Sequence, residues 1–446
     1  MRGLLIFASM LAAAPAAAAL PFDPEVATRA WMATLGPEAT ARSNDYFTGG
    51  YWLELAASGL TLIISGLLLF FGWSRGVRDF LERTLKFYPL VVFGSALFYL
   101  FVTTGLTFPF SYYVGFVREH EYGLSTQTFP EWFNEYLIGA ALNLVIGAIF
   151  LTILYGIVAV AKRTWWVWGT IVTVMLSAVL FMAAPVFISP LFNEYTEMEA
   201  SPLKDDILAI AQANGVPADN VYVYDRSRQT NSISANVSGL FGTTRISLAD
   251  TLLDRGSPDA VRAVMGHEIG HYVLGHAYSL LLMMSGIIII SFAAVHFGFR
   301  AVAGNERWGI RSIADPAGLP LIVAILTIVG VLTAPLQRNM IRFHEQQADM
   351  FGLNAARAPD GFAEAAVMLS EYRKMEPAPF EEWWFYDHPS GWNRIHNAMV
   401  WKANEIAAGR LQPSTGGPPE GWRPDFVRAR EQPAASEAPS PAAASD

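Results

Sequence analysis

Three residues with the spacing of a zinc-hydrolase signature lie in the segment VRAVMGHEIGHYVLGH. His267 and His271 are four residues apart, so on a helix they lie one turn above each other and can direct imidazole nitrogens at one ion. Glu268 lies beside them, where it can take a proton from metal-bound water as a general base. The alternative is an amphipathic helix whose histidines only line a core. The H-E-x-x-H pattern predicts a catalytic zinc site.

A catalytic zinc usually has three protein ligands and one open position, so a third ligand is expected. His276 follows His271 by five residues, which on a continuous helix turns it about 140° away from the ligand face, and we reject it as a ligand. The downstream segment MIRFHEQQADMFG places Glu345 and Asp349 one helical turn apart. Glu345 is the predicted third ligand, and Asp349 is predicted to orient a ligand histidine. An exposed carboxylate is the alternative for Glu345, but the neighbouring residues are apolar.

The composition is that of a membrane protein. The chain has 446 residues, of which 53% are hydrophobic and 15% charged, and its mean hydropathy is +0.31. The net charge is −9 and there is no basic low-complexity run, which argues against a nucleic-acid partner. Because there is no cysteine, a transition-metal site must use histidines and carboxylates.

The N-terminus and six apolar segments predict how the chain meets the bilayer. Residues 1–19 resemble a secretory signal peptide, and an uncleaved first membrane helix is the alternative. Both versions export the chain from Pro21 onward. Six further segments are long enough to span a bilayer as helices, over residues 52–73, 88–108, 136–161, 165–188, 277–299 and 318–336.

Loop charge predicts the orientation of these spans, because short cytoplasmic loops carry the excess of Lys and Arg. With the exported N-terminus outside, the inside loops hold nine such residues: Arg75, Arg78, Arg83, Lys86, Lys162, Arg163, Arg300, Arg307 and Arg311. His267 and Glu345 then both lie on the exported side, with an even number of spans between them. This predicts a multi-pass protein of a bacterial inner membrane with a periplasmic catalytic face.

A soluble segment lies between the fourth span and the zinc helix. Its pattern predicts one helix and two strands, over residues 202–214, 221–224 and 243–247, with a turn at 239–242 before the second strand. Zinc peptidases often pair a short edge strand with the extended substrate backbone. The stretch 234–238, beginning with Ser234, Ala235 and Asn236, is placed to do this. An ordinary hairpin arm is an equal alternative.

Two features follow the second metal motif. His388 precedes Pro389, which fixes it in a turn, and such a histidine can donate a hydrogen bond to the oxyanion of a tetrahedral intermediate. A structural role is the alternative. Residues 411–446 are rich in Pro, Ala, Ser and Glu and are predicted to be a disordered tail.

Taken together, five motifs resemble the type I CAAX prenyl protease family of integral-membrane zinc endopeptidases: FISPLFNEYTEM, SANVSGLFGTTRISLADTLL, VMGHEIGHYVLGH, HEQQADMFG and DHPSGWNRI. The resemblance extends from about Tyr46 to Lys402. It implies a mainly α, polytopic membrane protein with helices around a chamber, plus a gluzincin-like α+β metalloprotease domain. We expect a four-span membrane domain over residues 20–196 and a metalloprotease domain with two further spans over residues 197–410.

The resemblance also implies roles for individual residues. It makes His267, His271 and Glu345 the ligands of one zinc ion per chain and Glu268 the base. It makes His388 a contact to the transition state or substrate, and Arg394 a contact to the region of Asp349 or to a substrate carboxylate. The family's substrate strand usually reads Asn-Ala-aromatic before the glycine, whereas this chain has Ser-Ala-Asn-Val-Ser, which leaves substrate preference open.

Three functions are compatible with these observations. The first is a zinc endopeptidase that cuts membrane-associated or prenylated CAAX-type peptides near the bilayer. The second is a quality-control protease without specificity for prenylated substrates, because bacteria generally lack them. The third, from another class, is a transporter or channel with a structural zinc site, which would have no need of Glu268. The expected partners are a peptide or protein substrate and the lipid bilayer.

Overall fold

The computed structural model describes residues 20–239, 244–302 and 306–431. The predicted signal peptide, residues 1–19, and the retained span that is its alternative lie outside the described residues. The same holds for most of the predicted turn at 239–242 and for residues 432–446.

The described part of the chain contains six helices that are long and apolar enough to cross a membrane, which confirms the six predicted spans. They are α2 (Gly36–Phe70), α4 (Tyr88–Tyr112, continuing through a π-helical turn, Tyr113–Val117, into α5, Arg118–Glu121), α6 (Phe129–Val160), α7 (Trp165–Ala183, continuing to Leu191), α11 (His276–Val302) and α12 (Leu319–Ala356). In the most apolar window of each helix, at most 28% of residues are buried. Many apolar side chains of these helices therefore face outward, where lipid can cover them.

Several of these helices are longer than the apolar segments that were predicted to span the hydrocarbon core of the bilayer. A span needs about 20 residues, whereas α12 has 38 residues and carries its last turns out of the membrane to the metal motif. The sequence pattern located the apolar cores of the spans, but it could not show that the same helices continue as polar extensions. The mainly α, polytopic fold is confirmed.

The remaining helices are shorter, and many begin with proline in the first turn, where its missing N–H is not needed. They are α1 (Pro24–Ala33), α3 (Trp73–Leu85), α8 (Pro202–Ala213), α9 (Asp250–Arg255), α10 (Pro258–Val273), α13 (Pro359–Leu369), α14 (Pro379–Phe385), α15 (Gly391–Ala407) and α16 (Asp425–Glu431). Side-chain caps fix several starts: Ser257 Oγ accepts from Ala260 N at 3.2 Å at the start of α10.

A small four-stranded sheet has the order β1-β2-β4-β3, with β1 (Tyr195–Glu197), β2 (Val221–Tyr224), β3 (Ala235–Ser238) and β4 (Arg245–Ala249). β2 and β4 are parallel, while β1 and β3 pair antiparallel with their neighbours. The predicted first strand is confirmed. The second lies two residues further along than the predicted 243–247, because Ile246 and Leu248 are the residues that the core buries.

The sheet packs on α8 and α10 through a core that includes Ile207, Val221, Ile246, Met265 and Ile269. This core holds the outer face of α10, so the position of the H-E-x-x-H helix relative to strand β3 is set by buried apolar contacts. Within a close-packed interior, such contacts leave little freedom for the helix to shift.

The prediction that the chain is disordered after Leu411 is wrong for residues 411–431. Trp422 packs on Trp31 of α1 with ring centroids 5.2 Å apart, and Phe426 is buried in the core shared by α1, α13 and α15. Trp31 Nε1 also donates to Gly416 O at 3.0 Å. The segment is rich in Pro and Ala, and this composition led to the prediction of disorder. Its few aromatic residues bury enough apolar surface to order the segment.

The loops predicted to lie inside meet on one face of the helical bundle. Arg78 forms a buried ion pair with Asp315, and Arg311 reaches both Asp315 and Glu82. Tyr88 Oη donates to Ala314 O at 2.7 Å. Helix α11 runs from the metal motif to this face, and α12 returns from it. The two metal motifs therefore lie at the end of the bundle opposite the basic loops.

Candidate active site

Close approach of α10 and α12 brings the two metal motifs together. A Cβ on Gly352 would lie 2.8 Å from His267 N, and a Cβ on Gly266 would lie 3.1 Å from Gly352 O. Both of these neighbours are backbone atoms, which cannot move aside cheaply. Glycine at these two positions therefore lets the helices touch along their backbones. This contact places His267 beside Glu345.

His267, His271 and Glu345 each offer one ligand atom, and these atoms lie within 4.8 Å of one another. The two Nε2 atoms are 3.0 Å apart, and the Glu345 oxygens lie 3.3 Å from His267 Nε2 and 3.4 Å from His271 Nε2. Two ligands about 2.0–2.1 Å from a tetrahedral zinc ion would be about 3.3–3.4 Å apart. Glu345 Oε2 is also buried without a hydrogen-bond partner in the described structure. The donor set therefore fits zinc.

Asp349 and Arg394 support His267 from the other side of its ring. His267 Nδ1 lies 2.8 Å from Asp349 Oδ1, so with Nε2 free for a metal, we assign the proton to Nδ1, which donates to the carboxylate. Arg394 donates to both oxygens of Asp349, at 3.1 and 2.5 Å. This is the contact to the Asp349 region that the resemblance implied. Both side chains are nearly buried, so the ion pair is shielded from water.

His276 supports the second ligand histidine, a contact that the sequence reasoning missed. Its Nδ1 lies 2.9 Å from His271 Nδ1, and its Nε2 lies 3.2 Å from Gln347 Oε1. The rotation argument against His276 assumed a continuous helix, and that assumption is wrong, but His276 still does not belong to the cluster of His267, His271 and Glu345. Helix α10 ends at Val273, and Gly275 adopts a left-handed φ of +66°, which turns His276 back toward His271. A glycine at this place is a helix-stop signal that could have predicted the break.

Glu268 lines a cavity of about 190 Å³, which we call the His388 cavity. Among the residues that line it are Ser234, Ala235, His267, His388 and Arg394. Burial raises the pKa of the Glu268 carboxyl above its ordinary value. A raised pKa makes the carboxylate a better proton acceptor at neutral pH.

His388 lies in the turn between α14 and α15, as Pro389 predicted. Its Nε2 is 3.2 Å from Glu345 Oε2, which places the ring at the edge of the three-ligand cluster. Its Nδ1 is 2.7 Å from Asp387 Oδ1, so this carboxylate fixes the ring orientation. Asp387 is a further supporting residue that the sequence reasoning missed, although the D-H-P order could have indicated it.

Strand β3 is an edge strand, and it runs past the ligand cluster. Ala249 N donates to Ser234 O at 2.9 Å, so the backbone groups of Ser234 face β4. In an antiparallel pair this facing alternates, so Asn236 also turns to β4 while Ala235 and Val237 face the free edge. Of the three residues in this stretch that were predicted to bind substrate, Ala235 is thus the one whose backbone is free for pairing.

A second cavity, of about 570 Å³, lies on the other side of the ligand cluster, and we call it the membrane-side cavity. Its wall includes Phe181, Met182 and Pro185 in the last turns of the fourth span, together with Leu280 and Ile341 of α11 and α12. Asn236, Val237 and Ser238 of β3 border it, whereas Ser234 and Ala235 border the His388 cavity. Both cavities border β3 and the cluster of His267, His271 and Glu345, so we describe them together as one groove with an apolar wall at its membrane end. The enclosed chamber of the resemblance stays a prediction.

Comparisons with known proteins agree with this geometry. Residues 197–402 match the model of peptidase family M48, and residues 27–194 match the model described as CAAX prenyl protease N-terminal, five membrane helices. The chain is 27% identical over 371 residues to the uncharacterized metalloprotease YhfN of Bacillus subtilis (strain 168), covering 81% of this chain and 86% of that protein. It is 30% identical over 270 residues to CAAX prenyl protease 1 of Saccharomyces cerevisiae, covering 56% and 59% respectively.

A solved structure shows the same fold. The crystal structure of S. mikatae Ste24p superposes with a TM-score of 0.70 at 21% sequence identity, over 84% of this chain and 94% of that one. The fold and the site define an integral-membrane metalloprotease. Because the two family models together cover most of its length, the chain belongs to peptidase family M48, with the N-terminal domain of the CAAX prenyl proteases. The transporter or channel alternative therefore has no support.

Proposed function

We propose that the protein is a zinc-dependent endopeptidase that hydrolyses peptide bonds of membrane-associated substrates, with one zinc ion per chain. The observation that carries the proposal is the joint placement of three ligand atoms, a half-buried glutamate and a free strand edge in one groove. We divide the chain functionally into the membrane-helix domain, residues 20–196, and the metalloprotease domain, residues 197–410.

His267, His271 and Glu345 would hold the zinc ion, oriented by Asp349 and His276. When bound, zinc supplies Lewis acidity that lowers the pKa of a water ligand and polarises the scissile carbonyl. Glu268 takes the proton from the attacking water and later delivers it to the leaving amine. Its raised pKa suits both transfers, because the group must accept and release a proton at neutral pH.

His388 would stabilise the negative charge that develops on the carbonyl oxygen. Its Nε2 points into the groove beside Glu345, while its Nδ1–H donates to Asp387. Donation from Nε2 to an oxyanion while Nδ1–H donates to Asp387 requires a proton on both ring nitrogens. Burial lowers the pKa of His388, and the Asp387 carboxylate opposes this by stabilising the doubly protonated ring. We therefore propose that Asp387 and His388 work as a pair.

The substrate would bind as an extended strand against Ala235, with part of its chain in the membrane-side cavity. The spans of this protein line that cavity with apolar residues, which suits a segment that leaves the bilayer or a prenyl chain attached to it. The relatives called CAAX prenyl proteases support the prenylated class. The altered strand sequence Ser-Ala-Asn-Val-Ser and the proposed periplasmic face support a quality-control role.

We also propose a periplasmic catalytic face in a bacterial inner membrane. The support is that the basic loops joined by Arg78, Asp315 and Arg311 lie at the opposite end of the bundle from the metal motifs. A C-terminal fusion tests this, because α16 packs on the catalytic domain. An alkaline phosphatase fused after Asp446 should be active and a fluorescent protein dark; the reverse pattern would place the site in the cytoplasm.

Hydrolysis itself can be tested with the purified full chain in detergent or liposomes and a quenched fluorescent peptide. We expect cleavage that a chelator abolishes and that added Zn²⁺ restores. Cleavage that persists after complete removal of metal would contradict the proposal. Comparing a farnesylated CAAX peptide with its unprenylated counterpart then separates the two substrate classes.

A further inference from the structure

Helix α14 (Pro379–Phe385) exposes an aromatic face next to the membrane spans. Phe380 is 66% exposed and Trp383 is 47% exposed. The two residues are three positions apart, so they lie on the same face of the helix, and their ring centroids are 6.0 Å apart. We call these two residues the aromatic face of α14. Exposed apolar side chains that lie together, unlike scattered ones, indicate an interaction surface.

The acidic residues of α14 do not share this face. Glu381 accepts hydrogen bonds from Lys374 Nζ at 2.7 Å and from Tyr51 Oη at 2.9 Å. Glu382 accepts from Asn393 Nδ2 at 3.0 Å. Both carboxylates are therefore held by the protein, and the aromatic face carries no charge that would keep it out of a membrane. Trp and Phe on the outer side of an amphipathic helix are typical of elements that lie in a membrane interface.

Contacts with two spans define the depth of α14 in the bundle. Tyr51, the residue before the first predicted span, stacks on Phe385 with ring centroids 3.8 Å apart. Asn339, three residues beyond the predicted end of the span in α12, donates from Nδ2 to Trp383 O at 2.8 Å. Helix α14 therefore lies where the apolar parts of both spans end, which is the boundary between the hydrocarbon core and the lipid headgroups.

The chemistry of the partner follows from the surface on the membrane side of α14. Leu336 lies one turn before Asn339 on the same side of α12, and it is 50% exposed. Trp52, at the corresponding end of the span in α2, is 71% exposed. The lipid-facing surface of the spans thus extends up to the depth of the aromatic face. Trp is enriched at this depth because its ring is amphipathic, so the bilayer itself is the partner that fits.

We propose that Phe380 and Trp383 form an anchor that inserts among the lipid headgroups of the leaflet on the side of the metal motifs. The anchor also acts on the turn that carries His388, because Glu382 of the same helix accepts from Ser390 N at 3.0 Å. Lipid contact of α14 would therefore fix this turn relative to the bilayer. The inference goes beyond the function proposed above and does not rest on it.

A single spin label can be placed at a chosen position, because the chain has no cysteine. Phe380→Cys and Trp383→Cys each receive one nitroxide label, and each keeps the other aromatic residue. The purified full chain is reconstituted in liposomes of phosphatidylcholine and phosphatidylglycerol. Relaxation of the label by oxygen, which concentrates in the bilayer, is then compared with relaxation by a water-soluble nickel chelate.

Two other exposed apolar residues are matched references. Leu332→Cys lies in the span of α12, where the side chain is 70% exposed, and it reports the hydrocarbon core. Val26→Cys lies on α1, where the side chain is 65% exposed, and it reports water. Helix α2 rises by about 24 Å from its first residue to the start of the predicted span, which keeps α1 away from the bilayer.

We expect the oxygen-to-nickel ratio at both α14 positions to lie severalfold above that of Val26→Cys and below that of Leu332→Cys. A ratio equal to that of Val26→Cys would overturn the proposal. Dipolar broadening between labels at Trp383→Cys that grows with the protein-to-lipid ratio would show that a second copy covers this face, and it would also overturn the proposal. None of these outcomes depends on zinc or on peptide cleavage, so each leaves the proposed function untouched.

A double variant, Phe380→Ser with Trp383→Ser, tests whether the lipid contact holds the turn that carries His388. In liposomes, amide hydrogen exchange over residues 386–390 should be about tenfold faster than in the wild type, because the variant loses the apolar contact that restrains α14. Val26→Ser is the matched control and should exchange in this segment as the wild type does. Unchanged exchange in the double variant would show that the aromatic face touches lipid without holding the turn, and would overturn the anchoring role.

Discussion

The two histidines proposed as zinc ligands, His267 and His271, are supported unequally, and this predicts unequal effects of removing their partners. Asp349→Ala removes a charged acceptor from His267, whereas His276→Ala removes a neutral one from His271. We expect both variants to bind zinc more weakly than the wild type, and Asp349→Ala to be clearly the weaker of the two.

The magnitudes follow from charge and burial. The Asp349 side chain is 4% exposed and its hydrogen bond to His267 is charged, so its loss should cost about 1.5–3 kcal/mol, or roughly ten- to hundredfold in zinc affinity. The His271 side chain is 27% exposed, so water can replace the lost imidazole. His276→Ala should therefore cost about 0.5–1.5 kcal/mol, or roughly two- to tenfold.

Zinc affinity is measured by competition with a chromophoric chelator on each purified variant. His396→Ala, which removes a histidine of α15 that contacts Thr28, is the matched control and should bind zinc as the wild type does. An equal loss in His276→Ala and Asp349→Ala, or a larger one in His276→Ala, would refute the reasoning from charge and burial.

Three further predictions concern single features of the fold and site. Glu345→Ala should lose most of its bound zinc, because a three-ligand site loses one strong donor, and metal analysis showing a full complement would exclude Glu345 as a ligand. His388→Ala should keep zinc and thermal stability but lower kcat about a hundred- to thousandfold with less effect on KM; early melting or metal loss would instead show a structural or ligand role. Truncation after Leu411 should lower the thermal stability by removing Trp422 and Phe426 from Trp31 and its neighbours, whereas truncation after Glu431 should not; equal melting temperatures would contradict the observed packing.

The residues at helical spacing were the most predictable part of the site. His267 and His271 are fixed relative to each other by one turn of α10, and Glu345 and Asp349 by one turn of α12. Local periodicity therefore reveals each pair. What brings the pairs together is the backbone contact at Gly266 and Gly352, which depends on tertiary packing and has no periodic signature.

The features that the sequence reasoning missed have different physical causes. His276 was excluded by assuming an unbroken helix, although one left-handed residue, Gly275, reverses its direction. The order of residues 411–431 depends on a few aromatic side chains, Trp422 and Phe426 among them, within a composition that is otherwise typical of disorder.

The central claim is that Glu268 activates water at a zinc site formed by His267, His271 and Glu345. The most direct test is the rate of peptide cleavage by Glu268→Gln, measured on protein whose zinc content has been determined. This substitution removes the base but no ligand, so the account predicts full zinc occupancy with hydrolysis reduced by several orders of magnitude. Near-normal turnover by the zinc-loaded variant would contradict it.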